Sequence, residues 1–273
     1  MDATLGRFEV NRSLSFHVLG PLSVQVGGRG LPVPGGRQRV LLAALLVKFN
    51  QVVSVEELVD RIWDATPPHR PRRALHTCLT RLRHAMKDPF GPAAELIRTS
   101  HAGYMIELPP ENLDLARFTE LLGSARAAAR SGDPARESEA LRAALALWRG
   151  RVLPDVASDS LHREVVPRLN EQWMWALERR AALSLAMGRH DELVAELRAL
   201  TFEHPFHEPF WRQFMLALYR CGRRVEALMA YGELTVRIRD EFGVDPSAEV
   251  RALHLAILRD DERALTECRV PAP

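Results

Sequence analysis

The sequence predicts a mainly α-helical protein with a small α+β part at its amino-terminal end. Three observations support this fold class. Hydrophobic and polar residues alternate in short stretches before residue 34, which is the period of half-buried strands. From residue 37 onward, hydrophobic residues recur at helical spacing, and strand signals disappear after about residue 110. A 34-residue internal repeat in the last third of the chain is typical of stacked helix pairs.

Length and composition fit a globular protein of two domains. The 273 residues contain 47% hydrophobic and 26% charged residues, which is ordinary for a folded chain. The longest apolar run, 40–47, is far shorter than the roughly 20 residues that a membrane helix needs, and no secretory signal opens the chain. Cys78, Cys221 and Cys268 form no CxxC pair and leave one cysteine over, which fits a reducing cytoplasm.

The first elements are predicted as strands at 14–18 and 22–26, with a possible third strand at 31–33. Pro34-Gly35-Gly36 then breaks the chain before a helix over 37–48. Ser54 and Glu57 form a capping box at the start of a second helix. The Ser54 hydroxyl is expected to accept from the Glu57 N–H while the Glu57 carboxylate reaches back.

A third helix is predicted to begin near Pro71, because proline is tolerated in a first turn. Its apolar stripe consists of Leu75, Cys78, Leu79, Leu82 and Met86. Cys78 is therefore expected in the core and not as a reactive thiol, and Trp63 is expected in the core as well. Residues 95–108 are predicted as two strands around a turn at 100–103. This order of strands, three helices and a hairpin is that of a winged helix-turn-helix.

The charge is unevenly distributed along the chain. Residues 1–110 hold 14 Lys and Arg against 9 Asp and Glu, a net charge of +5, whereas residues 111–273 hold 23 against 26, a net charge of −3. The stretch 69–87 carries six cations and no carboxylate. Such a surplus indicates a polyanionic partner, nucleic acid first, although a solvated helix face is the alternative.

The outward face of the third helix and the turn of the hairpin supply the candidate DNA contacts. An α-helix fits the major groove of B-DNA, and the guanidinium fork of arginine matches guanine or a phosphate. We expect most of these contacts to go to phosphates. The predicted DNA-binding residues are Arg73, His76, Thr77, Thr80, Arg81, Arg83, His84, Lys87, Arg98, Ser100 and His101.

This part of the chain resembles the OmpR-type winged helix, and more specifically the DNA-binding domain of the Streptomyces antibiotic regulatory protein (SARP) family. The matching residues are Pro67-Pro68, Arg73, Leu75, Thr80-Arg81-Leu82-Arg83, Ile97-Arg98-Thr99 and Gly103-Tyr104. Thr80 stands where serine is more usual, which keeps a hydroxyl in place. The DNA sequence that is read does not transfer, because family members differ at the exposed positions.

The second part is predicted as a tetratricopeptide-like helical array. The helices are expected at 114–130, 134–149, 159–187, 190–203, 207–221, 223–241 and 246–260. Asp133-Pro134 and Asp245-Pro246 each supply a helix cap followed by proline. Gly188 and Gly222 lie 34 residues apart and mark the repeat, and a looser copy surrounds Gly132.

This array resembles the bacterial transcriptional activator domain of the SARP family. The matching stretches include 113–118, 144–150, 188–193, 204–205, 217–220 and 241–246. The expected organisation is a disordered tail at 1–12, a winged helix-turn-helix DNA-binding domain at 13–110, the activator domain at 111–262 and a flexible tail at 263–273. The chain resembles a small, stand-alone family member.

The resemblance implies a transcriptional activator of a natural-product gene cluster in the cytoplasm, associated with the nucleoid and not with a membrane. It would bind direct repeats in double-stranded promoter DNA as a side-by-side dimer and recruit RNA polymerase with its sigma factor. Two alternatives remain open. The first is a winged-helix repressor whose helical domain binds a small ligand. The second is a helical-repeat scaffold whose basic helix contacts acidic proteins.

Enzymatic motifs are not found in the sequence. Neither Lys48 nor Lys87 follows a glycine, so there is no P-loop, and HExxH, GxSxG and GxGxxG are absent. His204, His207 and Glu208 lack a second cluster of matching spacing, so we expect no metal site, because zinc needs three or four converging ligands. We therefore expect neither a cofactor nor an enzymatic activity.

Overall fold

The computed structural model describes residues 14–87 and 96–261, together with residues 263 and 265. The chain divides into two compact units. The first consists of Met1–Ser124 and Arg142–Met174, and the second of Ala125–Leu141 and Trp175–Pro273. The first unit thus extends beyond residue 110, and the predicted domain boundaries stay a prediction. Of the two predicted tails, 1–12 and 263–273, only residues 263 and 265 belong to the described part.

The first unit contains an antiparallel sheet of three strands. β1 (Leu14–His17), β2 (Ser23–Val26) and β3 (Arg29–Leu31) follow one another in space as in sequence. Gly27 and Gly28 both have positive φ, as a tight two-residue hairpin requires. The third strand lies two residues earlier than the predicted strand at 31–33. Pro32 has no N–H to donate, so the strand ends before it.

Three helices and a second sheet follow in the first unit, and they confirm the winged helix-turn-helix. The helices are α1 (Arg37–Val47), α2 (Val55–Trp63) and α3 (Pro71–Lys87), which pack against one another. The second sheet has the order β4 (Val53–Ser54), β6 (Gly103–Ile106) and β5 (Ile97–Ser100). A side chain on Gly103 would overlap the Val53 carbonyl oxygen, so the pairing of β4 with β6 requires glycine there.

The amino-terminal sheet is joined to the helix that follows the wing through a buried carboxylate. Asp114 accepts hydrogen bonds from the Val18 N–H at 2.9 Å and the Leu19 N–H at 3.0 Å. Burial raises the pKa of Asp114, although these two N–H groups and the Arg149 guanidinium favour its ionised form. The backbone N–H of Arg149 also donates to the Leu19 carbonyl at 2.8 Å.

Eight helices of the described part follow residue 113. They are α4 (Asp114–Arg130), α5 (Pro134–Leu145), α6 (Asp159–Glu164), α7 (Val166–Ala186), α8 (His190–Glu203), α9 (Glu208–Arg220), α10 (Arg224–Phe242) and α11 (Ala248–Arg259). The predicted helix at 134–149 ends early, because the chain turns after Leu145 to bring Arg149 to the end of β1. The predicted helix at 159–187 is two helices. Pro167, in the first turn of α7, has no backbone N–H, so it cannot donate the hydrogen bond that would continue α6 into α7.

The two predicted Asp-Pro caps have different outcomes. Asp133 accepts from the Arg136 N–H at 3.0 Å, which confirms the first cap. The second prediction is wrong. Ser247 occupies the cap position of α11, and the Asp245 carboxylate instead binds the Arg239 guanidinium at 2.7 Å.

In the second unit the helix pairs repeat the same turn, and the repeat is confirmed. Gly188 and Gly222 have φ values of 77° and 73°, and the residue after each donates its N–H to the carbonyl five residues earlier. Gly132 has φ 69°, and the Asp133 N–H donates to the Ala128 carbonyl, five residues before it. The looser repeat around Gly132 therefore has the same turn geometry. α9 packs against both α8 and α10, with Phe210 and Trp211 buried. Within the described residues, no helix is long and apolar enough to span a bilayer.

Candidate DNA-binding surface

The helix-turn-helix begins with the predicted serine cap. The Ser54 hydroxyl accepts from the Glu57 N–H at 3.1 Å, which fixes the start of α2. The reciprocal half of the capping box is wrong. The Glu57 carboxylate binds Lys48 Nζ at 2.7 Å and contacts the Arg61 guanidinium, because two cations outcompete a single backbone N–H.

α3 has the two faces that its sequence predicts. Its buried stripe comprises Leu75, Cys78, Leu79, Leu82 and Met86. Burial raises the pKa of the Cys78 thiol, although Arg37 and Arg81 oppose this shift, so the thiol stays protonated in the core as expected. The opposite face contains no carboxylate and is exposed at Arg73, His76, Thr77, Thr80, Arg81 and His84.

Four exposed cationic or imidazole side chains of α3 are free to meet a ligand. The side chains of Arg73, His76, Arg81 and His84 make no hydrogen bond or ion pair within the part of the chain that the structure describes. Arg72, by contrast, donates to the Glu56 carboxylate at 3.1 Å. The structure thus presents an uncompensated positive face, as the sequence predicts.

The two threonines of this face are held by their own helix. Thr77 Oγ1 donates to the Arg73 carbonyl at 3.1 Å, and Thr80 Oγ1 donates to the His76 carbonyl at 2.9 Å. Donation to a phosphate would require the hydroxyl to leave this bond. Their methyl groups remain available for contact with a thymine methyl.

Arg83 connects α3 to the wing, a role that the sequence did not reveal. Its Nη2 donates to the Ile97 carbonyl at 2.7 Å and to Thr99 Oγ1 at 3.1 Å. The side chain is half-buried, unlike that of Arg81 two residues earlier. Arg83 therefore positions β5 against α3, and any contact with DNA has to come from its remaining nitrogens.

The predicted wing residues lie on β5 and in the turn after it. Arg98 is exposed and forms an ion pair with Glu107, and Ser100 closes β5 opposite Gly103. His101 is exposed in the turn between the strands. Lys87 is the last residue of α3, and its side chain lies outside the described residues.

A cleft beside α3 adds residues that the sequence analysis did not assign to the site. It has a volume of about 410 Å³ and is lined by Gly35, Gly36, Arg37, Gln38, Trp63, Ala74, Thr77, Cys78 and Arg81. The Arg37 guanidinium lies 5.5 Å from the centre of the Trp63 ring, a cation–π distance. Trp63 is buried as expected, but its Nε1 has no hydrogen-bond partner among the described residues.

The cleft has the chemistry of an anion site. Gly36 precedes the first turn of α1 with φ 61° and carries no capping side chain, so the first N–H groups of that helix are not covered by a cap. Arg37 and Arg81 add two positive charges. The Pro34-Gly35-Gly36 sequence was a signal for this feature, because a helix that begins after two glycines leaves its amino terminus open.

Among the described residues, no group of three or more His, Cys, Asp or Glu side chains is placed to hold a metal ion. His207 Nε2 lies 2.6 Å from the Glu178 carboxylate, and both His204 and His207 pack against the Phe210 ring.

Comparison with protein families and curated proteins shows similarity along most of the chain. Residues 113–258 match the bacterial transcriptional activator domain, and residues 35–106 match the carboxy-terminal domain of transcriptional regulatory proteins. The regulatory protein DnrI of Streptomyces peucetius is 35% identical over 253 residues, which cover 91% of this chain and 93% of DnrI. The regulatory protein AfsR of Streptomyces coelicolor is 37% identical over 93% of this chain, which corresponds to 25% of AfsR.

A solved structure is similar to the whole fold. The structure of Mycobacterium tuberculosis EmbR in complex with a low-affinity phosphopeptide has a TM-score of 0.84 and 32% sequence identity. The match covers 94% of this chain and 69% of the EmbR chain. The similarity therefore includes both the winged helix and the helical array.

Proposed function

The chain belongs to the SARP family of DNA-binding transcriptional activators, and on this basis we propose that it activates a natural-product biosynthetic gene cluster from direct repeats in the promoter. It is a transcription regulator and not an enzyme. The observation that carries the proposal is the exposed face of α3, which has unpaired cations and no carboxylate. Such a face attracts the phosphates of a duplex and fits its major groove.

The proposed contacts fall into three groups: the face of α3, the wing and the cleft beside α3. Arg73, His76, Arg81 and His84 enter or border the major groove, and Arg98, Ser100 and His101 reach the backbone or minor groove beside it. The cleft between Arg37, Trp63 and Arg81 takes a backbone phosphate, with the two guanidinium groups and the amino terminus of α1 as donors. Arg83 contributes by holding the wing in register.

The proposed arrangement on DNA is a pair of protomers in the same orientation. Direct repeats place each winged helix head to tail with the next, in contrast to the two-fold symmetry of palindromic sites. The domains at 13–110 and 111–262 then have different roles. The first reads DNA, and the second supports the protomer pair and contacts RNA polymerase and its sigma factor. The protein acts in the cytoplasm at the nucleoid.

Footprinting on the promoters of neighbouring biosynthetic genes tests this proposal. We expect two protected sites in the same orientation, and weaker protection with Arg81→Ala. Arg130→Ala is the matched control, because Arg130 is an exposed arginine of the second unit. Protection that is independent of both Arg81 and promoter sequence would contradict sequence-specific DNA binding through α3.

A further inference from the structure

Four bulky hydrophobic side chains are exposed at one end of the helical array in the second unit. Phe202, Phe206, Phe242 and Val244 have exposed fractions of 79%, 45%, 58% and 55%. Soluble proteins seldom leave several large apolar side chains together in water unless the surface binds something. These four residues are called the phenylalanine patch below.

The fold brings Phe206 and Phe242 into contact and places Phe202 and Val244 at the same end of the array. α8 ends and α9 begins at this end of the array, and α10 ends and α11 begins there. The rings of Phe206 and Phe242 meet edge to face with their centres 4.9 Å apart. The Ser247 N–H donates to the Glu208 carboxylate at 2.7 Å, which ties the start of α11 to the start of α9. Phe202 is in the last turn of α8, and Val244 lies two residues after Phe242.

The rim of the patch is acidic. Asp240 and Glu241 immediately precede Phe242, and Glu249 is in the first turn of α11. All three are exposed, and none forms an ion pair within the described residues. Of the two arginines on this segment, Arg239 is paired with Asp245, and Arg251 donates to the Pro246 carbonyl at 2.6 Å. Residues 239–251 hold four carboxylates and two arginines, Arg239 and Arg251, so this segment carries a net negative charge.

The combination of aromatic centre and acidic rim selects among possible occupants. Nucleic acid is repelled by the carboxylates. A second copy placed on this surface by a two-fold axis would bring the same acidic rim against itself, and such like-charge contacts are unfavourable. A protein segment with apolar residues between lysines and arginines fits both the aromatic centre and the acidic rim. The phenylalanine side chains provide large contact areas for its apolar residues, and the rim attracts its flanking cations.

We propose that the phenylalanine patch is a docking site for an amphipathic helix of a partner protein that carries bulky apolar residues flanked by Lys or Arg. Helix recognition of this kind uses apolar anchors at positions i, i+3 or i+4, and i+7. The inference rests on the proposed function in one respect: the partner is bound while the protein is on promoter DNA. The patch then serves as a protein contact in the second unit, separate from the DNA-binding surface.

Fluorescence anisotropy with a synthetic probe tests the site on the full chain. The probe is an 18-residue amphipathic peptide with leucines on one face and lysines on both sides of them. We expect the double variant Phe206→Ser, Phe242→Ser to bind it at least tenfold more weakly. Asp240→Asn with Glu241→Gln should weaken binding and reduce its dependence on salt. The matched control is Val225→Ser with Met229→Ser, because these exposed residues of α10 lie about 20 Å or more from Phe242 along the helix.

A peptide with glutamate in place of lysine should not bind, and neither should one with serine in place of leucine. Equal binding of the lysine and glutamate peptides would overturn the proposal, as would an equal effect of the Val225 and Met229 control. A wild-type dimer in sedimentation that Phe206→Ser, Phe242→Ser dissociates would show that a second copy occupies the patch, and would also overturn it.

Transcription with purified RNA polymerase holoenzyme separates this inference from the proposed function. The Phe206→Ser, Phe242→Ser variant should keep the wild-type footprint while activation is lost. If activation is unchanged in this variant, the docking site is contradicted while DNA-dependent activation stands. If the wild-type protein leaves no footprint, the proposed function fails, whereas the peptide experiment still decides the site.

Discussion

The Arg83 guanidinium donates to the Ile97 carbonyl at 2.7 Å, and this bond joins helix α3 to the first strand of the wing. The same nitrogen contacts Thr99 Oγ1 at 3.1 Å. Arg81 and Arg83, two residues apart, thus differ in their contacts: Arg83 holds the wing, whereas Arg81 is exposed and has no hydrogen bond or ion pair among the described residues.

Arg83→Ala should therefore loosen the wing as well as weaken DNA binding. The loss of two hydrogen bonds from one charged group leaves the Ile97 carbonyl without this donor. Hydrogen exchange should become faster in β5 and β6. Arg81→Ala is the control and should leave exchange in the wing unchanged, and identical exchange in both variants would contradict the positioning role of Arg83.

Arg81→Ala should change the salt dependence of DNA binding. If Arg81 contacts a phosphate, its removal lowers the slope of log K against log salt by about 1 and weakens binding by at least about 1 kcal/mol. The measurement is a titration of promoter DNA at several salt concentrations. Arg130→Ala should keep the wild-type slope, and an unchanged slope for Arg81→Ala would place this arginine outside the phosphate contacts.

Gly103→Ala should destabilise the first unit by at least about 2 kcal/mol, because the new methyl group overlaps the Val53 carbonyl oxygen. Gly123→Ala is the matched control. Gly123 is an exposed residue inside α4 with open space around it, so alanine there should stabilise the protein by up to about 1 kcal/mol. Urea unfolding measures both changes, and equal stabilities of the two variants would contradict the close approach of β4 and β6.

Stability should decrease as the pH falls from about 6.5 towards 5. Burial lowers the pKa of His17, and Arg149 and Arg117 lower it further; burial also lowers the pKa of His190 and His254. These groups bind protons in the unfolded chain, whose histidine pKa is about 6.5, before they do so in the folded chain. The stability they contribute is therefore present above that pH and is lost on acidification.

His254→Phe should reduce this pH dependence. The His254 ring stacks on Tyr231 with centres 3.8 Å apart, and phenylalanine keeps the stack but cannot take up a proton. Urea unfolding at pH 7.5 and pH 5.5 should show a smaller difference for the variant than for the wild type. A wild-type free energy of unfolding that is equal at the two pH values would contradict the claim that these histidines destabilise the fold on acidification.

Local features of the sequence predicted most of the fold and the exposed face of α3. The helical spacing of Leu75, Leu79 and Leu82 settles which side of α3 is buried, and so which side carries Arg73 and Arg81. These inferences depend only on residues within one or two helical turns, where periodicity and capping rules apply.

Features that depend on distant partners were not predictable. The bond from Arg83 to β5, the contact of Asp114 with Val18 and the cleft beside Trp63 all join elements that are far apart in sequence or brought together by packing. The capping prediction for Asp245 was wrong for a local reason, because Arg239, six residues earlier, binds this carboxylate and Ser247 takes the cap position. A sequence pattern gives the capacity of a side chain to bond, and the tertiary structure chooses its partner.

In vitro transcription tests the central claim most directly. The template carries a weak promoter with direct repeats, and the reaction contains purified RNA polymerase holoenzyme with increasing amounts of the protein. We predict that transcript rises with wild-type protein and rises much less with Arg81→Ala, while Arg130→Ala behaves as the wild type. A fall in transcript that a small metabolite relieves, or a rise that is independent of the repeats, would contradict the account.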